Sequence, residues 1–254
     1  MTQAIATFHL SHGPKTRPTL IFLPGALIPP NAIAPATRIV KLRAIGVGWL
    51  EGAAPHDLHS VAARVVILLR ELGPTVLIGH SVGTPIAALA AAIDLRSTKS
   101  NVVGLVLSNS GANTKGHGDV ESVIERVLQT WPPLWKAMTE RSLGSVCPAE
   151  LVDSFMTYPR RVTAEVTAES LRSLQQTDLT SMLSELSSLP TAVVHGSRDP
   201  ARTLSHAQSL SNGISGSRLL ETGHTSCVEA PDEFAKVIRS VVEQGLKAGA
   251  GRGD

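Results

Sequence analysis

The stretch Thr75-Val-Leu-Ile-Gly79-His80-Ser81-Val82-Gly83 drives an apolar run straight into a G-x-S-x-G turn, with an Ala-rich helical stretch to about Leu95 behind it. A strand that passes so abruptly into a helix forces a strained backbone on the residue at the corner. Small neighbours at Gly79 and Gly83 relieve the crowding that this strain creates. Ser81 is therefore expected above the end of a strand, exposed at a helix amino terminus.

Strand and helix patterns alternate over most of the chain, the signature of a parallel sheet with crossover helices. Strands are expected at Ala6 to Leu10, Thr19 to Leu23, Ile45 to Trp49, Thr75 to Ile78, Val102 to Leu107, Thr191 to Val194 and Arg218 to Glu221. Several are apolar throughout, as they must be where helices cover both faces. Asp57 can cap a helix that Gly73 and Pro74 end, and Pro231 can open a last helix to about Lys247. From Gly111 to Ser188 helical patterns follow one another with no strand between them. The expectation is an α/β fold, a mostly parallel central sheet flanked by helices. Residues 1–110 and 189–247 would form its core, 111–188 an inserted helical cap, and the Gly-rich 248–254 a flexible tail. A length of 254 residues with 43% hydrophobic content suits one core with a modest insertion.

Serine is a weak nucleophile at neutral pH, so a base and an orienting acid should follow it in the order Ser, acid, His. His195-Gly-Ser-Arg-Asp199 places a carboxylate just past one strand, and Gly223-His224 an imidazole just past the next. Both would emerge at the carboxyl edge of the sheet, where open α/β folds bind ligands. An acid after the preceding strand would need a carboxylate near Ser108 to Gly111, and the nearest downstream is Asp119. The catalytic set expected is Ser81, Asp199 and His224. Leu23-Pro24-Gly25-Ala26 closes the strand Thr19 to Leu23, and the amides of Ala26 and Val82 are the expected oxyanion donors.

Gly25, Leu27 and His80 adjoin this centre and are candidate substrate contacts, with packing or loop bonding the other role open to His80. Trp131, Trp135, Phe155 and Tyr158 fall together in the expected cap; they would line an apolar pocket or form the cap's own small core. The balance of 23 Lys plus Arg against 21 Asp plus Glu, without clustering, gives no support for nucleic-acid binding. No stretch has membrane-spanning length, and Met1 to Leu10 lack the features of a secretory signal. A cytoplasmic protein acting on a small molecule is expected, its cysteines Cys147 and Cys227 reduced. No metal or organic cofactor is implied, and the oligomeric state is left open.

Leu-Pro-Gly-Ala at 23–26, Gly-His-Ser-Val-Gly at 79–83, His-Gly-Ser-Arg-Asp at 195–199, and Gly-His at 223–224 with Glu229 and Pro231 behind make a joint pattern. In it the chain resembles the α/β-hydrolase superfamily, in its cap-bearing branch of small esterases, lactonases and carbon-carbon bond hydrolases. Pro24 stands where members often carry histidine, and Thr84 where a second glycine commonly follows the turn. The resemblance implies a serine hydrolase acting on a small, largely apolar ester or lactone through an acyl-enzyme. It also admits carbon-carbon hydrolases, lyases and cofactor-free oxygenases on the same fold, or a non-catalytic ligand receptor.

Overall fold

The computed structural model describes residues 5–52, 55–131, 133–143, 147–212, 214 and 217–250. Each apolar run becomes a strand: β1 (Ala6–Ser11), β2 (Thr19–Leu23), β3 (Ala44–Gly48), β4 (Thr75–His80), β5 (Val102–Ser108), β6 (Thr191–Gly196) and β7 (Ser217–Leu220). They form one sheet in the order β1-β3-β2-β4-β5-β6-β7. β1 runs antiparallel to β3, and every other neighbouring pair is parallel. Register decides what lies at the carboxyl edge. Leu23 pairs with Gly79, His80 with Ser108, and Ser108 with Val194, so the segments leaving β2, β4, β5 and β6 start side by side.

Alternate residues of the central strands serve two separate cores, as the two-residue period of a strand requires. Ile21, Leu23 and Leu77 pack with Val61, Val65 and Leu69 of α2 (Leu58–Leu72) and with Ile86, Ala87 and Ala90 of α3 (Gly83–Leu95). On the opposite face, Leu20, Phe22, Val76 and Ile78 pack with Phe234, Ile238 and Val241. Asp57 caps α2 through Ser60 N at 3.0 Å, and the helix stops at Gly73, whose φ is 74°. α1 (Ala34–Val40) is a short helix that the sequence pattern did not mark, with a proline in its first turn.

Between β5 and β6 the described residues form helices and no strand: α4 (Val120–Thr130), α5 (Pro133–Leu143), α6 (Ala149–Thr157), α7 (Ala164–Gln176) and α8 (Leu183–Leu186), with two single 3₁₀ turns. Val120 and Ile124 of α4 meet Ala168 and Leu171 of α7. After β6 come α9 (Leu204–Ser211), also unmarked in the sequence, then β7, α10 (Ser226–Glu229) and α11 (Pro231–Ala250). Residues 248–250, expected in a flexible tail, are helical because α11 continues past Lys247; 251–254 lie outside the described residues.

The four aromatics expected in a substrate pocket pack elsewhere. Trp131 meets Trp135 edge-on with ring centroids 5.0 Å apart, and Trp135 meets Tyr158 at 5.4 Å. Trp135 and Tyr158 join the core shared with α2 and α3, whereas Phe155 joins the core on the other face of the sheet. They therefore form no separate core of their own. Cys147 and Cys227 are unpaired, and no described helix is long and apolar enough to cross a membrane.

Candidate active site

The corner after β4 is strained as the sequence required. Ser81 has φ 51°, a left-handed conformation that costs a non-glycine residue of order 1 kcal/mol or more. A Cβ on Gly83 would collide with the carbonyl oxygen of Leu23, so only glycine lets the start of α3 approach β2 this closely. Thr84 has its own reason for replacing a small residue. Its hydroxyl donates to the carbonyls of Gly79 and Ser108, both at 3.1 Å, tying the corner to β5.

Ser81 Oγ lies 3.0 Å from His224 Nε2. His224 Nδ1 lies 2.9 and 3.0 Å from the two carboxylate oxygens of Asp199. An ionised carboxylate only accepts, so Nδ1 carries the proton and Nε2 presents its lone pair to the serine hydroxyl. The imidazole is braced from both sides. Glu229 accepts from the amides of Gly223 at 2.8 Å and Thr225 at 3.1 Å, and the carbonyl of His224 itself accepts from His80 Nε2 at 2.9 Å.

Burial alone would raise the pKa of Asp199. Hydrogen bonding and charge from His224, then the bonds from Asn109 and the Ala201 amide, outweigh it and hold the carboxyl well below the usual carboxylate range. Asn109 donates to Asp199 Oδ2 at 3.1 Å and to the Gly223 carbonyl at 3.2 Å, from a backbone with φ 51°. His80 is fully buried, and burial followed by the nearby His224 lowers its pKa to about 3. It stands as a neutral brace with Nδ1 unpartnered, not as a group facing ligand.

A cavity of about 460 Å³ opens over Ser81. Its floor is Ala26, Leu27, Ser81, Val82 and His224, and one side is Pro200, Ala201 and Arg202. Its walls are supplied by His117 and by side chains of α4, α5 and α7, among them Val123, Leu134, Met138, Leu171 and Leu174. Ala26 and Val82 both line the cavity beside Ser81, and among the described residues neither backbone amide donates to a backbone acceptor. Trp49 Nε1 donates to the Pro24 carbonyl at 2.9 Å and fixes the loop that carries Ala26. Among the described residues no group of three or more His, Cys, Asp or Glu side chains could hold a metal ion.

Of the expected substrate contacts, only Leu27 lines the cavity. Gly25 lies beneath the floor, where a methyl group would stand 3.0 Å from Ser81 Cβ and 3.1 Å from His80 Nδ1. Trp131, Trp135, Phe155 and Tyr158 are absent from the lining because their rings are spent on packing, Trp135, Phe155 and Tyr158 being 2% exposed or less. Asn109, Trp49, His117 and Arg202 went unassigned in the sequence. Only their positions at strand ends or beside the expected acid could have pointed to Asn109, Trp49 and Arg202.

The alpha/beta hydrolase family model matches residues 20–237, and the chain belongs to that family. No curated protein sequence matches the chain significantly. Among solved structures it is similar to an esterase from Exiguobacterium antarcticum, at 24% identity over 94% of this chain and 95% of that one, with a TM-score of 0.78. A hydrolase from Oleispira antarctica gives 14% identity over 93% and 94%, TM-score 0.76. An enol-lactonase from Burkholderia xenovorans gives 16% over 94% and 96%, TM-score 0.73. At these identities the likeness establishes the fold.

Proposed function

We propose that the chain is a serine hydrolase that cleaves a small carboxylic ester or lactone through an acyl-enzyme. The observation that carries this is the unbroken relay from Asp199 through His224 to Ser81 Oγ, ending at a cavity that Ala26 and Val82 also line. His224 Nε2 takes the serine proton as Oγ attacks the carbonyl carbon, and the Ala26 and Val82 amides receive the oxyanion. Asp199 steadies the imidazolium without itself taking the proton. His224 then protonates the leaving oxygen, and a water molecule, activated by the same nitrogen, releases the acid and restores Ser81.

The helical segment 111–188 acts as a cap in this scheme, since α4, α5 and α7 supply most of the apolar wall over the serine. Closing the centre from bulk water strengthens the amide bonds to the oxyanion. A panel of esters and lactones assayed with the native chain and Ser81→Ala tests the proposal. Turnover of at least one ester with accumulation of an acyl-enzyme, both abolished in Ser81→Ala, is expected. Turnover without any acyl intermediate would transfer the chemistry to His224 acting on the substrate directly.

A further inference from the structure

Arg202 is a buried cationic side chain in the cavity wall that the proposed acyl transfer leaves unused. It is 4% exposed and lines the same cavity as Ser81 and His224. Its Nη1 is buried and has no hydrogen-bond partner among the described residues. A guanidinium taken out of water without an acceptor is among the costliest groups a protein can bury. Here burial lowers the Arg202 pKa only to about 10, so the group stays charged at neutral pH.

The carboxylate that acts on it electrostatically, Asp199, is already committed. Its oxygens accept from His224, from Asn109, and from the backbone amides of Ala201 and Arg202 at 2.8 and 2.9 Å. That last bond ties the main chain of Arg202 to the acid of the relay. No carboxylate is among the residues lining the cavity. His117 adds no second positive charge, since burial, and then the neighbouring Arg202, lower its pKa to about 4 and leave a neutral imidazole. Arg126 lines the cavity as well, from an exposed position on α4 where it attracts anions from solution.

We infer that Arg202 receives a carboxylate at the non-reacting end of the substrate, so that the ester or lactone cleaved is an acidic one. The planar fork of a guanidinium matches a carboxylate by two parallel hydrogen bonds, and Arg202 Nη1 has no acceptor of its own among the described residues. The residues that line the cavity are mostly aliphatic, which suits a hydrocarbon spacer joining the carboxylate to the scissile carbonyl. Arg202 is then a specificity-determining residue that takes no part in bond cleavage.

The inference rests on the hydrolase proposal for its substrate, and the test separates the two. Rates are compared for the 4-nitrophenyl monoester of adipic acid and for 4-nitrophenyl hexanoate, which differ in the terminal carboxylate. The native chain should prefer the acidic ester by about tenfold or more in kcat/KM, mostly through KM, and Arg202→Met should remove that preference. Arg202→Lys, which keeps the charge but loses the fork, should retain part of it. Calorimetric titration with adipate and hexanoate reads the same site without turnover. Adipate should bind the native chain about tenfold tighter, and the gap should close in Arg202→Met but persist in Arg126→Met. If neither ester turns over, nor any ester or lactone of the wider panel, the hydrolase proposal fails while the titration still decides the site. An equal affinity for both acids, or a gap that survives in Arg202→Met, overturns the inference.

Discussion

Glu229 touches no reacting group in the proposed mechanism, yet it accepts from the amides on either side of His224 and so decides where the imidazole stands. A small displacement of a base costs rate steeply, because proton transfer needs a near-attack geometry. Glu229→Ala should lower kcat by about ten- to a hundredfold with KM little changed, and Glu229→Gln, which keeps one acceptor, should recover part of the loss. Asn109 offers a parallel test on the acid side. Asn109→Ala removes one of the bonds that hold the Asp199 carboxyl low and leaves the others in place. Steady-state kinetics on both variants, with circular dichroism to verify the fold, checks these outcomes; an equal loss in Glu229→Gln and Glu229→Ala would contradict a positioning role.

At the scale of elements, the helices over the serine divide their work between two sets of side chains. Leu134 and Leu171 line the cavity, so Leu134→Ala and Leu171→Ala should shift the preferred acyl length of an ester series while the fold survives. Trp135 packs between Trp131 and Tyr158 and should act on stability instead, with Trp135→Ala costing about 3–5 kcal/mol by urea denaturation. A Trp135→Ala variant of native stability with altered acyl preference would reverse that assignment. The same division marks how far the sequence could be read. The central strands were legible because runs such as Leu20 to Leu23 are buried on both faces and admit no polar residue, and β1 because it alternates between half-buried and exposed residues. That Ser81, Asp199 and His224 come together was legible because each follows within four residues of a strand end at the carboxyl edge. Which aromatic faces ligand was not legible, since Trp131, Trp135 and Tyr158 satisfy the same pattern whether they line a cavity or pack on one another. α1 and α9 escaped because helices of seven and eight residues show too little periodicity to stand out.

Across the whole molecule, the fully buried His80 and the half-buried His117 contribute to how stability responds to acid. His80 falls from 6.5 to about 3 in the folded chain, and His117 from 6.5 to about 4, burial being the first cause in both. Above pH 6.5 neither the folded nor the unfolded chain protonates them, and they contribute nothing to the pH dependence. As pH falls through that value the unfolded chain binds protons that the folded chain refuses, so stability declines from about pH 6.5 towards pH 4. The depressed Asp199 acts in a lower window, its contribution being lost only as pH drops below the ordinary carboxylate range. Urea midpoints should therefore fall between pH 7 and pH 4.5, and His80→Gln should flatten that fall; an unchanged slope would mean that His80 is protonated in the folded state. The relay at the carboxyl edge is assembled from the segments that follow β4, β6 and β7, and its chemistry is open to one direct reading. Incubation with a fluorophosphonate, followed by intact-mass measurement and peptide mapping, should give one adduct per chain, on Ser81. Labelling should disappear in Ser81→Ala and slow by about a thousandfold or more in His224→Ala. An adduct at another residue, or labelling of His224→Ala at the native rate, would contradict Ser81 as a nucleophile activated by His224.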